Sequence, residues 1–187
     1  MSRFEKGTSH LADKSDHVFK NKHTGAAVKL AGDPDVITNY SLMDRTYSNT
    51  ERFNFNGREF EAKCVKVYDG DTITAVFMVS GKYYRFSIRM DGYDAPEIKS
   101  KNPDAKKKET EEIYARASRD YLSNIILDKI ILLKCKDYDM YGRILADVEF
   151  DGKNINSMML KNGYCRPYSG GHKEEWDFSK FRPLDSL

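Results

Sequence analysis

Five residues near the middle of the chain have the side chains that phosphodiester hydrolysis requires: Asp71, Arg89, Asp94, Glu97 and Arg143. Two carboxylates can hold a divalent cation through hard oxygen donors, and a third can accept a proton from an attacking water. Two guanidiniums can bind one phosphate in a paired geometry that lysine does not match. The set predicts metal-dependent hydrolysis, provided that the fold gathers these side chains in one place.

The two aspartates flank strands that we expect to pair. Asp71 precedes the second predicted strand and Asp94 follows the third, and paired strands lie about 5 Å apart. Residues 69–71 are by themselves typical of a tight turn. An EF-hand is excluded because Thr74 and Ser80 stand where that loop requires glycine and glutamate. We therefore expect a cation site built from both aspartates and a backbone carbonyl, which suits Ca²⁺ or Mg²⁺.

The other three members of the set have simpler alternative explanations. Glu97 either orients and deprotonates the attacking water or is an ordinary surface carboxylate, and Pro96 restricts the backbone that carries it. Arg89 lies on the third predicted strand, and Arg143 follows the turn between the last two strands. The two arginines reach one phosphate only if the strands place them at the same edge of the fold.

Further candidates for substrate contact lie outside this set. The stretch 99–108 carries five lysines against one aspartate and ends in Lys106, Lys107 and Lys108. It is either a solvated loop that runs into a helix or a flexible basic arm that attracts a phosphate backbone. The aromatic residues that follow the last helix either stack on bases or pack inside the fold: Tyr164, Tyr168 and Trp176.

Hydrophobic periodicity divides the chain at about residue 55. Residues 1–55 carry scattered charge and three of the four histidines without sustained periodicity, so we expect a flexible or loosely packed extension. The alternative is an extension that docks on the domain, because Phe53 and Phe55 directly precede the first predicted strand. Residues 56–187 predict three strands, a helix, two strands and a short helix. The predicted bounds are 60–67, 72–79 and 83–90, then 109–127, then 130–136 and 144–150, and finally 154–161.

This order of elements predicts the five-stranded Greek-key barrel called the OB-fold, a β-rich α+β architecture with a helix between strands 3 and 4. The pattern also predicts a hairpin at Gly81-Lys82 and a helix end at Gly163. The predicted core face of the third strand is Tyr84, Phe86, Ile88 and Met90. The predicted core stripe of the first helix is Ile113, Ala117, Tyr121 and Ile125.

Composition limits the class of protein. Hydrophobic residues make up 40% of the 187 residues and charged residues 32%, as in globular domains. The net charge of +2 is too small to indicate nucleic-acid binding, so any attraction to phosphate must come from local clusters. No apolar run approaches the roughly 20 residues of a membrane span, and residues 1–16 lack a signal-peptide core. We expect an intracellular, cytoplasmic location and three buried free thiols: Cys64, Cys135 and Cys165.

Four motifs resemble those of the staphylococcal-nuclease (thermonuclease) family, in the family order: residues 67–72, 89–97, 141–143 and 162–164. The resemblance covers about residues 58–177. It implies an OB-fold, which agrees with the independent strand count. It also implies an endonuclease that cuts DNA and RNA with little sequence preference, by attack of water on phosphorus, and leaves 3′-phosphates.

The resemblance also implies roles for individual residues. Asp71, Asp94 and the backbone carbonyl of Ala95 would bind Ca²⁺, with Mg²⁺ as the alternative, and Asp69 would hold a metal-bound water. Glu97 would be the general base. The scissile phosphate would be bound by the two arginines, Arg89 and Arg143.

The match to the family's substrate-binding residues is less complete than the match to its catalytic residues. Tyr141 occupies the family's tyrosine before the Gly-Arg pair, but Met140 stands where the founding member has a lysine. We add Tyr168, Lys106, Lys107 and Lys108 as expected substrate contacts. The expected partner is DNA or RNA, without a membrane or an obligate protein partner. The rival hypothesis is a catalytically silent OB-fold module that binds nucleic acid or protein.

Overall fold

The computed structural model describes residues 18–20, 27–29 and 40–181. The chain separates into two compact units, Met1–Glu51 and Arg52–Leu187. In the first unit, the strand Val18–Lys20 pairs antiparallel with Ala27–Lys29, and a 3-10 helix spans Tyr40–Asp44. The predicted flexibility of residues 1–55 falls mostly outside the described residues.

The second unit contains the predicted barrel. Its five long strands are β1 (Glu59–Val67), β2 (Thr72–Val79), β3 (Lys82–Met90), β4 (Ile130–Tyr138) and β5 (Ile144–Phe150). Helix α1 (Ala105–Ile126) lies between β3 and β4, and helix α2 (Ile155–Lys161) follows β5. The shorter elements are the two-residue strands Tyr93–Asp94, Lys153–Asn154 and Arg166–Pro167 and the 3-10 helix Phe178–Lys180. The OB-fold prediction is confirmed.

The barrel closes through one parallel pair. The strand order is β3-β2-β1-β4-β5, and β5 returns to pair with β3 over Ile88–Met90. Strand β1 pairs with β4 through its first half and with β2 through its second half, and its register shifts between Cys64 and Lys66. A bulge bends a strand and increases its twist, so β1 can contribute to both sides of the barrel. The closure sets the C-terminal end of β3 beside the start of β5.

The core of the barrel includes a residue that we assigned to the extension. Phe55 is 2% exposed, and its ring packs edge-on against Phe60, Phe77 and Phe86 at centroid distances of 5.4, 5.7 and 5.4 Å. Burial of an aromatic ring this large contributes substantially to stability. The barrel unit therefore begins at Arg52, before the predicted boundary at residue 56.

Helix α1 begins earlier than predicted because Asp104 caps it. The Asp104 carboxylate accepts hydrogen bonds from the backbone N–H groups of Lys106 and Lys107, both at 2.9 Å. Such a cap satisfies N–H groups that the first turn leaves without partners. Lys106, Lys107 and Lys108 thus lie in the first helical turn, which agrees with the alternative of a loop that runs into a helix rather than with a flexible arm.

The buried stripe of α1 also differs from the prediction. The residues that face the core are Glu111, Ala115, Ser118, Leu122 and Ile126, whereas the predicted stripe member Ile113 is 37% exposed. The prediction followed apolar residues only, and Glu111 and Ser118 are polar. Glu111 is buried because it makes hydrogen bonds near the candidate site, which a count of apolar spacing does not detect.

The β2–β3 hairpin differs from the prediction in its turn and in part of its core face. The turn is Ser80-Gly81 rather than Gly81-Lys82, because Val79 pairs with Lys82 and both turn residues have positive φ, +49° and +80°. On β3, Ile88 and Met90 are buried as predicted, whereas Tyr84 is 46% exposed.

The predicted buried free thiols are confirmed, and burial raises the pKa of Cys64 to about 11. Among the described helices, none is long and apolar enough to cross a bilayer.

Ser118 provides the first testable prediction. Within the described part of the chain, its Oγ is the single buried side-chain N or O atom without a hydrogen-bond partner. Ser118→Ala removes that unsatisfied group and improves helix propensity, so we expect the free energy of unfolding to rise by about 1 kcal/mol. Urea denaturation measures this change. The matched control is Ser100→Ala, which removes a buried hydroxyl that donates to Glu111 and should lower stability. Equal destabilisation by both variants would contradict the prediction.

Candidate active site

The turn between β1 and β2 is packed tightly against α1 and the segment that follows β3. Gly70 leaves no room for a side chain: a Cβ there would lie 1.9 Å from Ser118 Oγ and 2.8 Å from Ala95 Cβ. The buried Tyr93 hydroxyl donates to the Gly70 carbonyl at 2.8 Å. The Asp69 carboxylate accepts the backbone N–H of Asp71 at 3.2 Å. These contacts fix the two aspartates of the turn next to residues 93–95.

Arg89 joins the two predicted metal ligands. Its Nη1 lies 2.8 Å from Asp71 Oδ2, and its Nη2 lies 3.4 Å from Asp94 Oδ1. The pairing of Thr72 with Arg89 places the start of β2 beside the end of β3, as the sequence predicted. The Asp71 Oδ2 atom also accepts the Ala95 N–H at 2.9 Å. The structure therefore brings Asp71, Arg89 and Asp94 together in one buried cluster.

Burial governs the charge of this cluster. Asp71 and Asp94 are 5% and 0% exposed, and Arg89 is 7% exposed. Burial raises the pKa of Asp71 to about 7, because desolvation outweighs the Arg89 guanidinium and the nearby Asp69 carboxylate adds to the rise. A cation bound to Asp71 would favour its ionised form at neutral pH.

Arg143 reaches the same cluster from the β4–β5 turn. Its Nη1 donates to Thr72 Oγ1 at 3.1 Å, and the Thr72 hydroxyl donates to Asp71 Oδ1 at 2.9 Å. Asp139 holds the arginine by accepting from its Nε at 2.6 Å and from its backbone N–H at 2.9 Å. Sequence reasoning missed Asp139, although its position four residues before an arginine across a tight turn was a usable signal. Tyr141 is 75% exposed, with its ring centroid 5.4 Å from the guanidinium carbon.

Glu97 is held at both its backbone and its carboxylate. Its N–H donates to Glu111 Oε1 at 3.2 Å, and Glu111 also accepts the Ser100 hydroxyl. Its carboxylate lies 3.2 Å from Lys173 Nζ. Glu111 was missed because a glutamate on a helix usually faces solvent. The same lysine contacts Asp94, so Glu97 and Asp94 share one counter-ion.

The C-terminal segment supplies two cations that sequence reasoning missed. Arg166 Nη2 lies 3.0 Å from Asp94 Oδ2, and Lys173 Nζ lies 2.7 Å from Asp94 Oδ1. Arg166 is aligned because the strand Arg166–Pro167 pairs with Tyr93–Asp94. No local motif could indicate these contacts, because Arg166 and Asp94 are 72 positions apart.

The remaining predicted substrate contacts are spread around this cluster. An open cavity of about 450 Å³ lies beside it, lined in part by Gly92, Tyr168, His172 and Lys173. The Tyr168 hydroxyl donates to the Gly171 carbonyl at 2.8 Å. Lys107 pairs with Glu175 at 2.8 Å, and Lys106 and Lys108 are exposed on the same helical turn. Tyr164 is buried and stacks on Tyr121, so it is a packing residue.

The donor chemistry fits a hard divalent cation. Asp71 and Asp94 offer carboxylate oxygens on either side of one guanidinium, and oxygen ligands are those that Ca²⁺ and Mg²⁺ prefer. Over the described residues, no group of three or more His, Cys, Asp or Glu side chains has the geometry to hold a metal. An ion at this place would have the carboxylates of Asp71 and Asp94 and would need a backbone carbonyl, water or substrate phosphate to complete its shell.

Comparison with known proteins identifies related sequences. An uncharacterized endonuclease of Escherichia coli is 33% identical over 111 residues, 59% of this chain and 62% of that protein. An uncharacterized endonuclease of Haemophilus influenzae is 33% identical over 106 residues, 57% of this chain and 51% of its own length. A probable staphylococcal-like nuclease of Oryza sativa subsp. japonica is 34% identical over 81 residues, 43% of this chain and 18% of that protein. The chain thus spans less than two thirds of these relatives.

The family comparison covers most of the cluster. The profile described as staphylococcal nuclease homologue matches residues 87–182, just over half of the 187-residue chain. The matched region includes Arg89, Asp94, Glu97 and Arg143, as well as the later cations, whereas Asp71 precedes it. The family match agrees with the closed barrel and its two helices. This chain belongs to the staphylococcal nuclease homologue family.

Proposed function

We propose that this protein is a metal-dependent nuclease that hydrolyses phosphodiester bonds of DNA or RNA. The observation that carries the proposal is the bridge that Arg89 makes between Asp71 and Asp94, with Arg143 connected to Asp71 through Thr72. The residues proposed as cation ligands and those proposed to bind phosphate therefore lie in one cluster. Family membership supports a nuclease, and the two bacterial relatives are uncharacterized endonucleases.

Ca²⁺ is the proposed cofactor and Mg²⁺ the alternative. Asp71 and Asp94 would hold the ion with the Ala95 carbonyl, and Asp69 would support a water in its shell. When bound, the ion supplies Lewis-acid polarisation of a phosphoryl oxygen. The remaining catalytic work falls to side chains of this chain.

Three residues have proposed roles in the chemical step. Glu97 accepts the proton of the attacking water as the oxygen of that water bonds to phosphorus. Arg89 and Arg143 donate to the phosphate oxygens, on which negative charge increases in the transition state. The bond from phosphorus to the 5′-oxygen breaks, and that oxygen leaves with a proton from solvent. The products are a 3′-phosphate and a 5′-hydroxyl.

The proposed substrate contacts favour a backbone-directed enzyme. Arg89 and Arg143 are proposed to bind phosphate rather than base edges. Contacts with phosphate carry no sequence information. Tyr141 and Tyr168 are proposed to stack on neighbouring bases, an interaction that tolerates any base. We therefore propose cleavage with little sequence preference.

The purified 187-residue chain tests this proposal. It is incubated with single-stranded DNA, double-stranded DNA and RNA in Ca²⁺, Mg²⁺ or EDTA, and the fragments are separated by gel electrophoresis. Cleavage that requires a divalent ion supports the proposal. Binding without cleavage under every condition would instead support the silent OB-fold module.

The lysines of the first turn of α1 give a second prediction. Lys106, Lys107 and Lys108 are exposed, so each can contact substrate phosphate and release counter-ions. Replacing all three with glutamine should reduce the slope of log Kd against log salt by about one to three units. The measurement is fluorescence anisotropy with labelled single-stranded DNA in EDTA, which prevents cleavage. An unchanged slope would exclude these lysines from the interface.

A further inference from the structure

Asp94 contacts more cations than a single carboxylate needs. Its two oxygens lie within 3.4 Å of Arg89, Arg166 and Lys173, and its side chain is 1% exposed. A buried carboxylate requires compensation, but one well-placed guanidinium usually provides it. The three cations differ in how firmly other contacts hold them, and this difference assigns a separate role to one of them.

Two of the cations are fixed by contacts beyond Asp94. Arg89 also pairs with Asp71 and donates to the Met90 carbonyl at 3.1 Å. Arg166 lies with its guanidinium carbon 3.6 Å from the centroid of the Trp176 ring and donates to the Glu175 carbonyl at 3.2 Å. Stacking and several hydrogen bonds together hold a guanidinium in place. Neither arginine can leave Asp94 without losing several other contacts.

Lys173 is held far less firmly. Its contacts within the described residues are the carboxylates of Asp94 and Glu97 and, 5.9 Å from the ammonium, the centroid of the Tyr168 ring; its side chain is 44% exposed. It follows Gly170 and Gly171, whose φ angles of +101° and +94° suit glycine far better than other residues. A lysine has a flexible stem and a compact charge that water solvates well. Lys173 can therefore move into solvent with the loss of fewer contacts than either arginine would lose.

We propose that Lys173, which pairs with Asp94 and Glu97, is a tethered counter-ion that competes with a divalent cation for the oxygens of Asp94. The ammonium neutralises these carboxylates while the ion is absent, and the ion binds as Lys173 withdraws. The inference rests on the proposed function, which makes Asp94 a metal ligand. Lys173 thereby lowers the affinity for the divalent cation and sets the cation concentration at which the site becomes occupied.

Removal of the tethered charge should tighten cation binding. Lys173→Gln leaves Asp94 paired with two arginines and removes one positive charge from the contact region. The expected gain in Ca²⁺ affinity is about fivefold, because a half-exposed ion pair of the kind that the ion displaces contributes up to about 1 kcal/mol. Isothermal titration calorimetry of the full chain with Ca²⁺ alone, at fixed ionic strength and without nucleic acid, measures it.

Two variants separate competition from other effects. Lys173→Arg keeps the positive charge and should bind Ca²⁺ much as the unmodified protein does. Lys134→Gln is the matched control, because Lys134 is 41% exposed and pairs with Glu149 without contacting a carboxylate of the site. It removes the same net charge, so its Ca²⁺ affinity should not change. Thermal melts check that each variant is folded.

The outcomes distinguish this inference from the proposed function. Equal or weaker Ca²⁺ binding by Lys173→Gln, or no measurable binding by either protein, would overturn the inference. Tighter binding by Lys173→Gln without cleavage of any substrate would sustain the inference and refute the nuclease. Metal-dependent cleavage with unchanged affinity in Lys173→Gln would refute the inference and sustain the nuclease.

Discussion

Arg143→Ala should lower kcat for nucleic-acid cleavage by about 10²–10³-fold and leave the fold intact. The guanidinium donates to Thr72 at 3.1 Å, beside Asp71, where a phosphate oxygen would gain negative charge. Its side chain is 27% exposed, so its removal leaves no buried cavity. Steady-state cleavage of single-stranded DNA measures kcat, and circular dichroism checks the fold.

The matched control for this change is Arg85→Ala. Arg85 is exposed on β3, the strand that carries Arg89, and should be dispensable for cleavage. Asp139→Asn should cause a smaller loss than Arg143→Ala, because Asp139 positions the guanidinium without contacting substrate. Near-normal turnover by Arg143→Ala would remove this arginine from the proposed phosphate contacts.

Arg89→Ala should destabilise the protein by about 3–5 kcal/mol as well as abolish most cleavage. Asp94 would keep Arg166 and Lys173, but Asp71 would lose the guanidinium that lies 2.8 Å away. The uncompensated Asp71 carboxylate is the reason for the large cost, which should be greatest well above pH 7, because burial already raises the pKa of Asp71 to about 7 and loss of Arg89 raises it further. Guanidinium chloride denaturation measures the free energy of unfolding.

A double variant tests that physical reason. Arg89→Ala combined with Asp71→Asn removes the unpaired charge, so it should be more stable than the sum of the two single changes predicts. Arg89→Lys keeps a positive charge and should retain much of the stability but little of the rate, because lysine lacks the paired geometry. An Arg89→Ala protein as stable as Arg85→Ala would show that the buried ion pair contributes nothing.

The barrel was predictable because its signals are local. The bounds of β2 and β5 match the prediction to the residue, since turn residues flank alternating apolar positions. The start of α1 could also have been predicted, because aspartate is a favoured N-cap residue and Asp104 precedes the helix. Its buried stripe could not, because Glu111 and Ser118 face inward and apolar spacing does not account for polar residues.

The proximity of two site residues was predictable only where they lie on neighbouring strands. Asp71, Arg89 and Asp94 lie close together because β2 and β3 form a hairpin, which the sequence indicated. Lys173 is 76 positions from Glu97 and reaches it only because the C-terminal segment folds back over the barrel. Contacts of that range depend on tertiary packing, and no residue spacing in the chain encodes them.

The stacking of Arg166 on Trp176 gives the molecule a built-in optical probe. Trp176 is the sole tryptophan of the sequence, so its emission is free of other indole signals. Its ring lies 3.6 Å from a guanidinium that bonds Asp94. Any redistribution of charge around that carboxylate changes the field at the indole and hence the emission spectrum. Occupancy of this region can thus be followed in the unlabelled protein by intrinsic fluorescence.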